Sequence, residues 1–598
     1  MAKREFTVAD AYDYNHDGAL RWVASHLLRY KRLVLVFIVS SLLANIFMGF
    51  VPVVTGRAFS DVLHSRDPRS QLVQGALLLL ASVVSTGIFD LGARSLIEFL
   101  GKRFARDARE ELYISLLGKS QTFHNRQRVG DIMARAANDV GLLSDMIVPG
   151  VDSIFDSSSA LVIPTIFIGF LEWRLLLVPL IFTGVYIVVL RMYMRQLKPV
   201  STEMRARFGQ LNAGLAETVT GIELVKATAQ EEQERRKFET NARSFRDLYV
   251  RNGLVQGRYL PPLIYAIALA AGLLHGLYLV SSGLLSVGGL ITFLGLMGAF
   301  RFPVFVSIFA FNVFQMGVAA SDRILELIRE ETDLDENEAG YQQTMRGELV
   351  FDHVSFGYGN DMVVKDISFR ASPGQTVAIV GQTGTGKSTL TRLVNRIYDV
   401  SAGQVLIDGI DVRDWQLDAL RSQISTIEQD IFLFSKTVAE NIAFGLGDNV
   451  GREAIEAAAK DAQAHDFIMN FRDGYDTVLG ERGVTLSGGQ RQRIAIARAL
   501  LTDPRILVLD DSTSAIDSAT EDEIQKAMRR LAQGRTTLLI THRLSQIRTA
   551  DWVLVLRRGT IVDQGKHEDL LVRCELYARI FAHYDPALAP RALAGAGQ

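Results

Sequence analysis

A glycine-rich segment in the second half of the chain carries the clearest chemistry. The apolar run 376–380 is followed by Gly381, Gln382, Thr383, Gly384, Thr385, Gly386, Lys387, Ser388 and Thr389. A strand, a glycine loop and a helix start in this order are what a phosphate-binding P-loop requires. Backbone N–H groups and the helix N-terminus can hold phosphate oxygens, Lys387 can reach the β- and γ-phosphates, and the Ser388 hydroxyl can bind Mg²⁺. The segment therefore predicts a nucleoside triphosphate site.

Two further segments follow the P-loop. The apolar strand that begins at Arg505 ends in Asp510, and in P-loop proteins such a carboxylate holds the metal through water. Asp510 alone is weak evidence, because many buried strands end in aspartate. The second segment lies ahead of that strand and consists of Leu486, Ser487, Gly488, Gly489 and Gln490.

With this pentapeptide between the P-loop and Asp510, the chain resembles the ATP-binding cassette (ABC) superfamily. The resemblance extends from about residue 18 to about residue 580, and the membrane part resembles that of exporter half-transporters. The other family landmarks occur in order: Tyr358, Gln429, residues 480–483, residues 514–517 and His542.

The resemblance implies a role for each landmark. Tyr358 would stack on adenine, Gln429 would reach Mg²⁺ or the attacking water, and His542 would sense the γ-phosphate. Seen alone, Tyr358 could also be a surface aromatic, Gln429 a solvated amide and His542 a buried histidine. The family also places ATP between the P-loop of one subunit and the 486–490 signature of the other, so one chain cannot complete a site.

One residue departs from the family pattern. The catalytic carboxylate after Asp510 is usually glutamate, and here it is Asp511, which is shorter by one methylene. A general base must reach its water at about 2.6 to 3.2 Å, so hydrolysis at this chain's own P-loop is in doubt. Heterodimeric exporters in which one subunit carries aspartate resemble this arrangement. We expect a heterodimer, and a homodimer stays open.

Charge-free stretches in the first half indicate a membrane domain. The chain has 598 residues, of which 48% are hydrophobic and 22% are charged. Charges are absent over 24 residues from Leu33, over 19 from Gln71 and over 42 from Tyr259. A bilayer-spanning helix needs about 20 apolar residues, so these stretches exclude a purely soluble protein. Six spans are expected, with short connections after the first, third and fifth and long basic ones after the second and fourth.

Composition and charge restrict the possible partners of the chain and its location in the cell. Lys and Arg in the long connections place them, and both chain ends, in the cytoplasm, as expected for a multi-pass protein of a bacterial plasma membrane. The formal net charge of −2 disfavours nucleic acid as a partner. The single cysteine, Cys574, excludes an intrachain disulfide. No signal peptide is expected, so the first span should remain as an anchor.

The domains follow from these patterns: an N-terminal segment with a helix on the inner membrane surface (1–32), a six-helix all-α membrane domain (33–320), a linker (321–346), an α/β P-loop ATPase domain (347–582) and a disordered tail (583–598).

The membrane domain offers weaker site candidates. Helical spacing places Arg301, Phe305, Ile308, Asn312 and Gln315 on one face of the sixth span, which suits a wet substrate cavity. A structural contact of Arg301 with a neighbouring helix is an open alternative. Asp152 and Asp156, one turn apart, could face the same cavity or lie near the surface. Residues 123–131 and 221–226 resemble the family's coupling helices.

The sequence as a whole predicts an ATP-driven exporter half-transporter that uses ATP and Mg²⁺. Its substrates would be amphipathic compounds such as drugs, lipids or peptides, and the residues do not identify which. An ATP-gated channel or regulator on the same scaffold is the alternative, disfavoured because a long regulatory insertion is absent. The six spans exclude a soluble cassette protein. An importer is also disfavoured, because importers usually carry their membrane subunits on separate chains.

Overall fold

Two compact units make up the chain. The computed structural model describes residues 3–8, 10–258, 261–359, 361–447, 450–480, 483, 486–511 and 518–582. The helical unit comprises residues 10–113 and 129–330. The α/β unit comprises the N-terminal residues up to position 9, residues 114–128, and the chain from 331 onward. The expected tail lies outside the described residues.

Thirteen helices precede the first described strand, and α4 with the end of α3 belongs to the α/β unit. They are α1 (Ala19–Arg29), α2 (Lys31–His64), α3 (Pro68–Leu117), α4 (Gln121–Arg126), α5 (Val129–Ala134), α6 (Val140–Asp145), α7 (Asp152–Leu171), α8 (Leu177–Thr220), α9 (Ile222–Ala227), α10 (Glu231–Arg258), α11 (Pro261–Ser281), α12 (Val287–Gly298) and α13 (Arg301–Arg329). Short π-helical turns (Arg135–Asp139 and Met146–Val151) and a 3-10 turn (Trp173–Leu176) join some of them.

Six helical segments of the described chain are long and apolar enough to cross a bilayer. The most apolar 18-residue window of each has a mean hydropathy of 1.7 to 2.4. The segments are Lys31–Leu63, Pro68–Leu117, Val129–Leu171, Trp173–Thr220, Glu231–Ser281 and Val287–Arg329. The predicted all-α domain of six spans is confirmed.

The sixth span consists of two consecutive helices. Helix α12 ends at Gly298, and α13 begins at Arg301. Pro303 explains the restart, because proline is tolerated in the first turn of a helix and costs a hydrogen bond in its interior. The Tyr186 hydroxyl donates to the Pro303 carbonyl oxygen at 2.8 Å, which ties the new helix start to α8. Arg301 therefore occupies the first turn of α13.

Helix α1 occupies the segment for which an interfacial helix is expected. Its Trp22, Val23 and His26 side chains are buried. The Trp22 indole N–H donates to Glu111 of α3 at 2.9 Å. One face of α1 therefore packs against α3, and contact of its other face with lipid stays a prediction.

The described residues of the α/β unit form two sheets. The strands are β1 (Leu349–Tyr358), β2 (Asp361–Ala371), β3 (Thr376–Gly381), β4 (Ala402–Ile407), β5 (Ile410–Asp411), β6 (Ile424–Ile427), β7 (Ile506–Asp511), β8 (Thr536–Thr541), β9 (Trp552–Arg557) and β10 (Thr560–Gly565). One sheet is antiparallel in the order β2-β1-β4-β5. The other has the order β10-β9-β3-β8-β7-β6, in which only β10 runs antiparallel to its neighbour.

Helices cover the larger sheet and extend beyond it. They are α14 (Lys387–Val394), α15 (Leu417–Arg421), α16 (Val438–Ile442), α17 (Arg452–Asp461), α18 (His465–Met469), α19 (Gly488–Thr502), α20 (Ser518–Ala532), α21 (Leu544–Thr549), α22 (His567–Arg573) and α23 (Glu575–Ala582). The carboxyl ends of parallel strands meet at one edge, where α/β folds bind ligands. The P-loop follows β3, His542 follows β8, and Asp510 lies in the last two residues of β7.

The N-terminal residues form a strap inside the α/β unit, defined here as residues 3–8. The Glu5 N–H donates to the Gly118 carbonyl at 2.9 Å, and the Glu5 carboxylate accepts from Arg421 at 2.8 Å. The Glu336 N–H donates to the Arg4 carbonyl at 2.8 Å. The strap therefore links residues 114–128 to the chain around 336 and 421.

Candidate functional site

The P-loop joins β3 to α14 with backbone that favours glycine. Gly384 and Gly386 have φ angles of 79° and 95°, in the left-handed region. A Cβ at Gly386 would lie 3.2 Å from the Val363 carbonyl oxygen, so a side chain there would be both strained and crowded. The Thr385 hydroxyl donates to the Gln382 carbonyl at 2.9 Å and closes the turn. The loop can therefore bring its N–H groups close to an anion.

Lys387 lies over this loop. Its ammonium donates to the carbonyl oxygens of Gly381 and Gln382, each at 2.9 Å. Burial lowers the pKa of Lys387, and the Asp510 carboxylate opposes that change. A buried cation held at the phosphate loop can make charge-assisted hydrogen bonds to a polyphosphate.

The expected metal-binding residues border one cavity. The Ser388 hydroxyl donates to the Asp510 carboxylate at 2.6 Å. Both residues, together with Gln429, line a cavity of 190 Å³. Hydroxyl, carboxylate and amide oxygens are hard ligands of the kind Mg²⁺ prefers, with phosphate oxygens and water completing its shell. The donor set therefore fits Mg²⁺ bound together with a nucleotide.

The adenine candidate Tyr358 ends β1 beside two other aromatic side chains. Its ring centroid lies 5.1 Å from that of Phe356 and 5.4 Å from that of Tyr398. Tyr358 is 38% exposed, whereas Phe356 and Tyr398 are buried. Its hydroxyl lies 3.4 Å from the Thr389 hydroxyl of α14. Tyr358 can therefore offer an open ring face next to the P-loop helix.

The catalytic candidates occupy neighbouring strand ends. Asp511, the last residue of β7, is in register with Thr541 of β8, and His542 follows directly. Desolvation lowers the pKa of His542, and the Lys387 ammonium lowers it further, which favours the neutral imidazole. Residues 512–517, and with them the family landmark at 514–517, lie outside the described residues, as do 481 and 482 of the landmark at 480–483.

The 486–490 signature forms the start of α19. The Ser487 hydroxyl accepts from the Gln490 N–H, and the Gln490 amide oxygen accepts from the Ser487 N–H. Leu486 and Gly489 are buried, whereas Ser487 and Gly488 are exposed. A Cβ on Gly488 would meet nothing within 4 Å. The capping box thus fixes a helix N-terminus whose first turn is open to an incoming anion.

A second cavity, of 780 Å³, lies in the helical unit between α8 and α13. Asn312 and Gln315 border it as expected. Arg301 and Phe305 are not among its lining residues, and Arg301 stacks on the Phe305 ring at 5.6 Å from the centroid. The remaining lining residues are Leu142, Met194, Arg195, Leu197, Lys198, Ser201, Arg205, Phe311, Met316, Ala319 and Arg323.

The sequence reasoning missed the basic residues of this cavity. Arg195, Lys198 and Arg205 recur at intervals of three and seven, which places them on one face of α8. That spacing was visible in the sequence. Asp152 and Asp156 do not line the cavity, and Asp156 accepts from the Ser41 hydroxyl at 3.1 Å. Neither aspartate therefore borders this cavity.

Both expected coupling segments contain short helices. Helix α4 overlaps the first segment and α9 overlaps the second. Within the α/β unit, the Asn125 amide of α4 donates to the Tyr398 hydroxyl at 2.7 Å, and the Ser120 N–H donates to the Thr332 hydroxyl at 2.8 Å.

Comparisons with known proteins agree on one family. Residues 34–304 match the family described as ABC transporter transmembrane region, and residues 364–514 match the one described as ABC transporter. An ATP-dependent lipid A-core flippase of Syntrophus aciditrophicus (strain SB) is 37% identical over 488 residues, 81% of each chain. A Bacillus subtilis (strain 168) protein, named as a candidate multidrug export ATP-binding/permease protein, is 36% identical over 79% of this chain and 83% of its own.

A solved structure supports the same assignment. The structure of a bacterial Atm1-family ABC exporter with ATP bound has a TM-score of 0.78 and 30% sequence identity to this chain. The match covers 93% of this chain and 98% of the exporter.

Proposed function

Because this chain belongs to the ABC transporter family, we propose that it is one half of a dimeric exporter of amphipathic compounds that carry an anionic group. ATP binding, ATP hydrolysis coupled to export, and a multi-pass membrane location with a cytoplasmic ATPase domain come with the family. The amphipathic, anionic nature of the substrate, the dimer and the use of Mg²⁺ are proposed in addition to these family properties.

The charge of the helical-unit cavity is the observation that carries the substrate class. Within the described part of the chain, Arg195, Lys198 and Arg205 have no carboxylate within ion-pair distance, whereas Arg323 pairs with Asp139 at 2.6 Å. Cations clustered around one cavity repel one another and raise the local concentration of anions there. Three of them around one cavity therefore favour a phosphate or carboxylate as occupant.

The apolar side chains of the same cavity favour an amphipathic molecule. Met194, Leu197, Phe311 and Met316 border it beside the cations. Methionine is flexible and fits irregular apolar shapes, which suits a site for more than one compound. An amphipathic molecule could place an anionic headgroup against Arg195, Lys198 and Arg205 of α8 and its apolar part against the four apolar side chains.

Dimerisation is supported by the signature. Ser487 and Gly488 are exposed at a helix N-terminus, which can receive the γ-phosphate of an ATP held by another chain's P-loop. Mg²⁺ would be held by Ser388, Asp510 and Gln429, and it supplies charge neutralisation of the β- and γ-phosphates when bound. Because Asp511 stands at the position of the family glutamate, we propose a partner chain that carries the glutamate.

A charge-selective ATPase assay tests the substrate class. The purified dimer is reconstituted in vesicles, and turnover is measured with a lysophospholipid that carries an anionic phosphate headgroup and with a zwitterionic one of equal chain length. We expect stimulation by the anionic lipid and loss of that stimulation in the double variant Arg195→Gln/Lys198→Gln. Arg207→Gln, on the same helix but outside the cavity lining, is the control. Equal stimulation by both lipids, or an unaffected double variant, would contradict the proposal.

A further inference from the structure

A cluster of aromatic and basic side chains lies where α1 ends and α2 begins. Tyr30 separates these two helices. Its hydroxyl donates to the Asp107 carboxylate of α3 at 2.7 Å and accepts from Arg106 at 3.2 Å. Because the Asp107 side chain is buried, these hydrogen bonds fix the Tyr30 ring beside α3.

Arg103 of α3 is held by aromatic rings. Its guanidinium carbon lies 5.5 Å from the Tyr30 ring centroid and 4.6 Å from that of Phe99, one turn earlier on α3. Such contacts attract and orient a guanidinium through the ring face. In the described part of the chain, no carboxylate lies within ion-pair distance of Arg103. The oriented guanidinium can therefore donate to an acceptor from outside the chain.

The cluster has an excess of positive charge. Arg29 and Arg106 share the Asp107 carboxylate, at 3.4 Å and 2.6 Å. Together with Arg103, three guanidinium groups thus stand against one carboxylate. Clustered cations of this kind raise the local concentration of anions.

The position of the cluster corresponds to the inner surface of the membrane. The charge-free stretch of the first span begins at Leu33, directly after the exposed Lys31 and Arg32. On the side away from α3, the α1 residues Leu20 and Leu28 are exposed. A helix that combines basic residues with such an apolar side lies in the membrane interface. Lipid headgroups therefore surround the cluster.

We propose that Tyr30 and Arg103 form a binding site for the phosphate headgroup of an anionic phospholipid of the inner leaflet. A guanidinium binds phosphate through two parallel N–H···O bonds, and the stacked Arg103 is already oriented. The excess positive charge favours an anionic headgroup over a zwitterionic one. Asp107 is a positioning residue, because it holds the Tyr30 ring. The inference is independent of the exported compound.

Native mass spectrometry of the purified full-length dimer tests the site, with phosphatidylglycerol and phosphatidylcholine of equal chain length as probes. All proteins carry Arg195→Gln/Lys198→Gln, which removes two cations of the helical-unit cavity and separates this readout from the proposed substrate site. We expect phosphatidylglycerol to bind about 5-fold more tightly than phosphatidylcholine, the factor for one basic side chain at a lipid surface.

Substitutions on α3 and at Tyr30 locate the preference. Arg103→Gln should abolish it, and Tyr30→Leu, which removes the ring next to the guanidinium, should reduce it. The matched control is Lys102→Gln, which removes a charge at the neighbouring position, where Lys102 pairs with Glu98 at 3.3 Å. This control should keep the preference. Arg103→Lys keeps the charge without the planar guanidinium, so it should fold and retain only part of the preference.

The water-soluble headgroup glycerophosphoglycerol distinguishes a lipid site from a site for free phosphate esters. At equal concentration it should displace no bound phosphatidylglycerol, because it lacks the acyl chains that hold a lipid at the membrane surface. Equal affinity for the two lipids, an unchanged preference in Arg103→Gln or Arg103→Lys, or an equal loss in Lys102→Gln would each overturn the inference. Full displacement by glycerophosphoglycerol would overturn it as well.

Discussion

At the scale of single residues, Lys387 has the most direct role in the nucleotide site. It is buried, and the loop carbonyls of Gly381 and Gln382 hold its ammonium in place at 2.9 Å. Burial lowers the pKa of this lysine, so the folded protein keeps the charge at some cost. A phosphate that approaches the loop replaces those carbonyls with a stronger, charged partner. The left-handed glycines and the buried cation thus both serve phosphate binding.

Lys387→Ala should therefore weaken ATP binding at this site. The lost contact is a charge-assisted hydrogen bond of about 1.5 to 3 kcal/mol, which corresponds to roughly 10- to 150-fold in affinity. Equilibrium binding of ATP to the purified variant measures this. Lys365→Ala, an exposed lysine of β2, is the matched control and should bind as the wild type does. Unchanged affinity in Lys387→Ala would argue against the P-loop assignment.

At the scale of elements, the strap formed by residues 3–8 connects segments that are far apart in sequence. Arg421 of α15 binds the Glu5 carboxylate and also donates to the carbonyl oxygens of Asn395 and Arg396, just after the P-loop helix α14. Desolvation raises the pKa of Glu5 despite the attraction of Arg421. Burial of the strap therefore disfavours the charged form of Glu5.

This balance gives a prediction for two substitutions at one position. Glu5→Ala should lower the melting temperature of the full-length protein, because Arg421 loses its acceptor in a partly buried setting. Glu5→Gln should retain most of the stability, because an amide oxygen still accepts from Arg421 and the cost of desolvating the carboxylate is removed. Thermal unfolding of both variants at pH 7 measures the difference. A larger loss in Glu5→Gln than in Glu5→Ala would contradict this account of the strap.

Sequence patterns predict some of these elements well and others poorly, for physical reasons. Long charge-free stretches predict the six spans, and alternating apolar residues predict the strands. Both patterns arise because burial in lipid or in a sheet requires apolar side chains at regular positions. The break between α12 and α13 depends on the local effect of Pro303. The residues around it are apolar on both sides, so hydrophobicity alone does not predict the break. The Asn125 to Tyr398 contact joins positions 273 residues apart, and no periodicity in the chain encodes it.

At the scale of the whole molecule, each ATP site is shared between two subunits, so the identity of the second subunit determines which catalytic residues each site contains. This chain offers a P-loop followed by Asp511, and separately an intact signature with Ser487 exposed. In a homodimer, every site combines both features. In a heterodimer, this signature completes a site whose P-loop and carboxylate belong to the partner, and Asp511 lies in the other site.

The two assemblies therefore respond differently to substitutions at Asp511 and Ser487. In a homodimer, Asp511→Asn removes the sole candidate base, and turnover should fall by something like the 10²- to 10⁴-fold of lost general-base catalysis. In the proposed heterodimer, Asp511→Asn should barely change turnover, whereas Ser487→Ala should abolish most of it by damaging the partner's site. ATPase rates of the purified dimer with each variant decide between them. Near-wild-type activity in Asp511→Asn with collapse in Ser487→Ala is the expected result, and equal collapse in both would exclude the heterodimer.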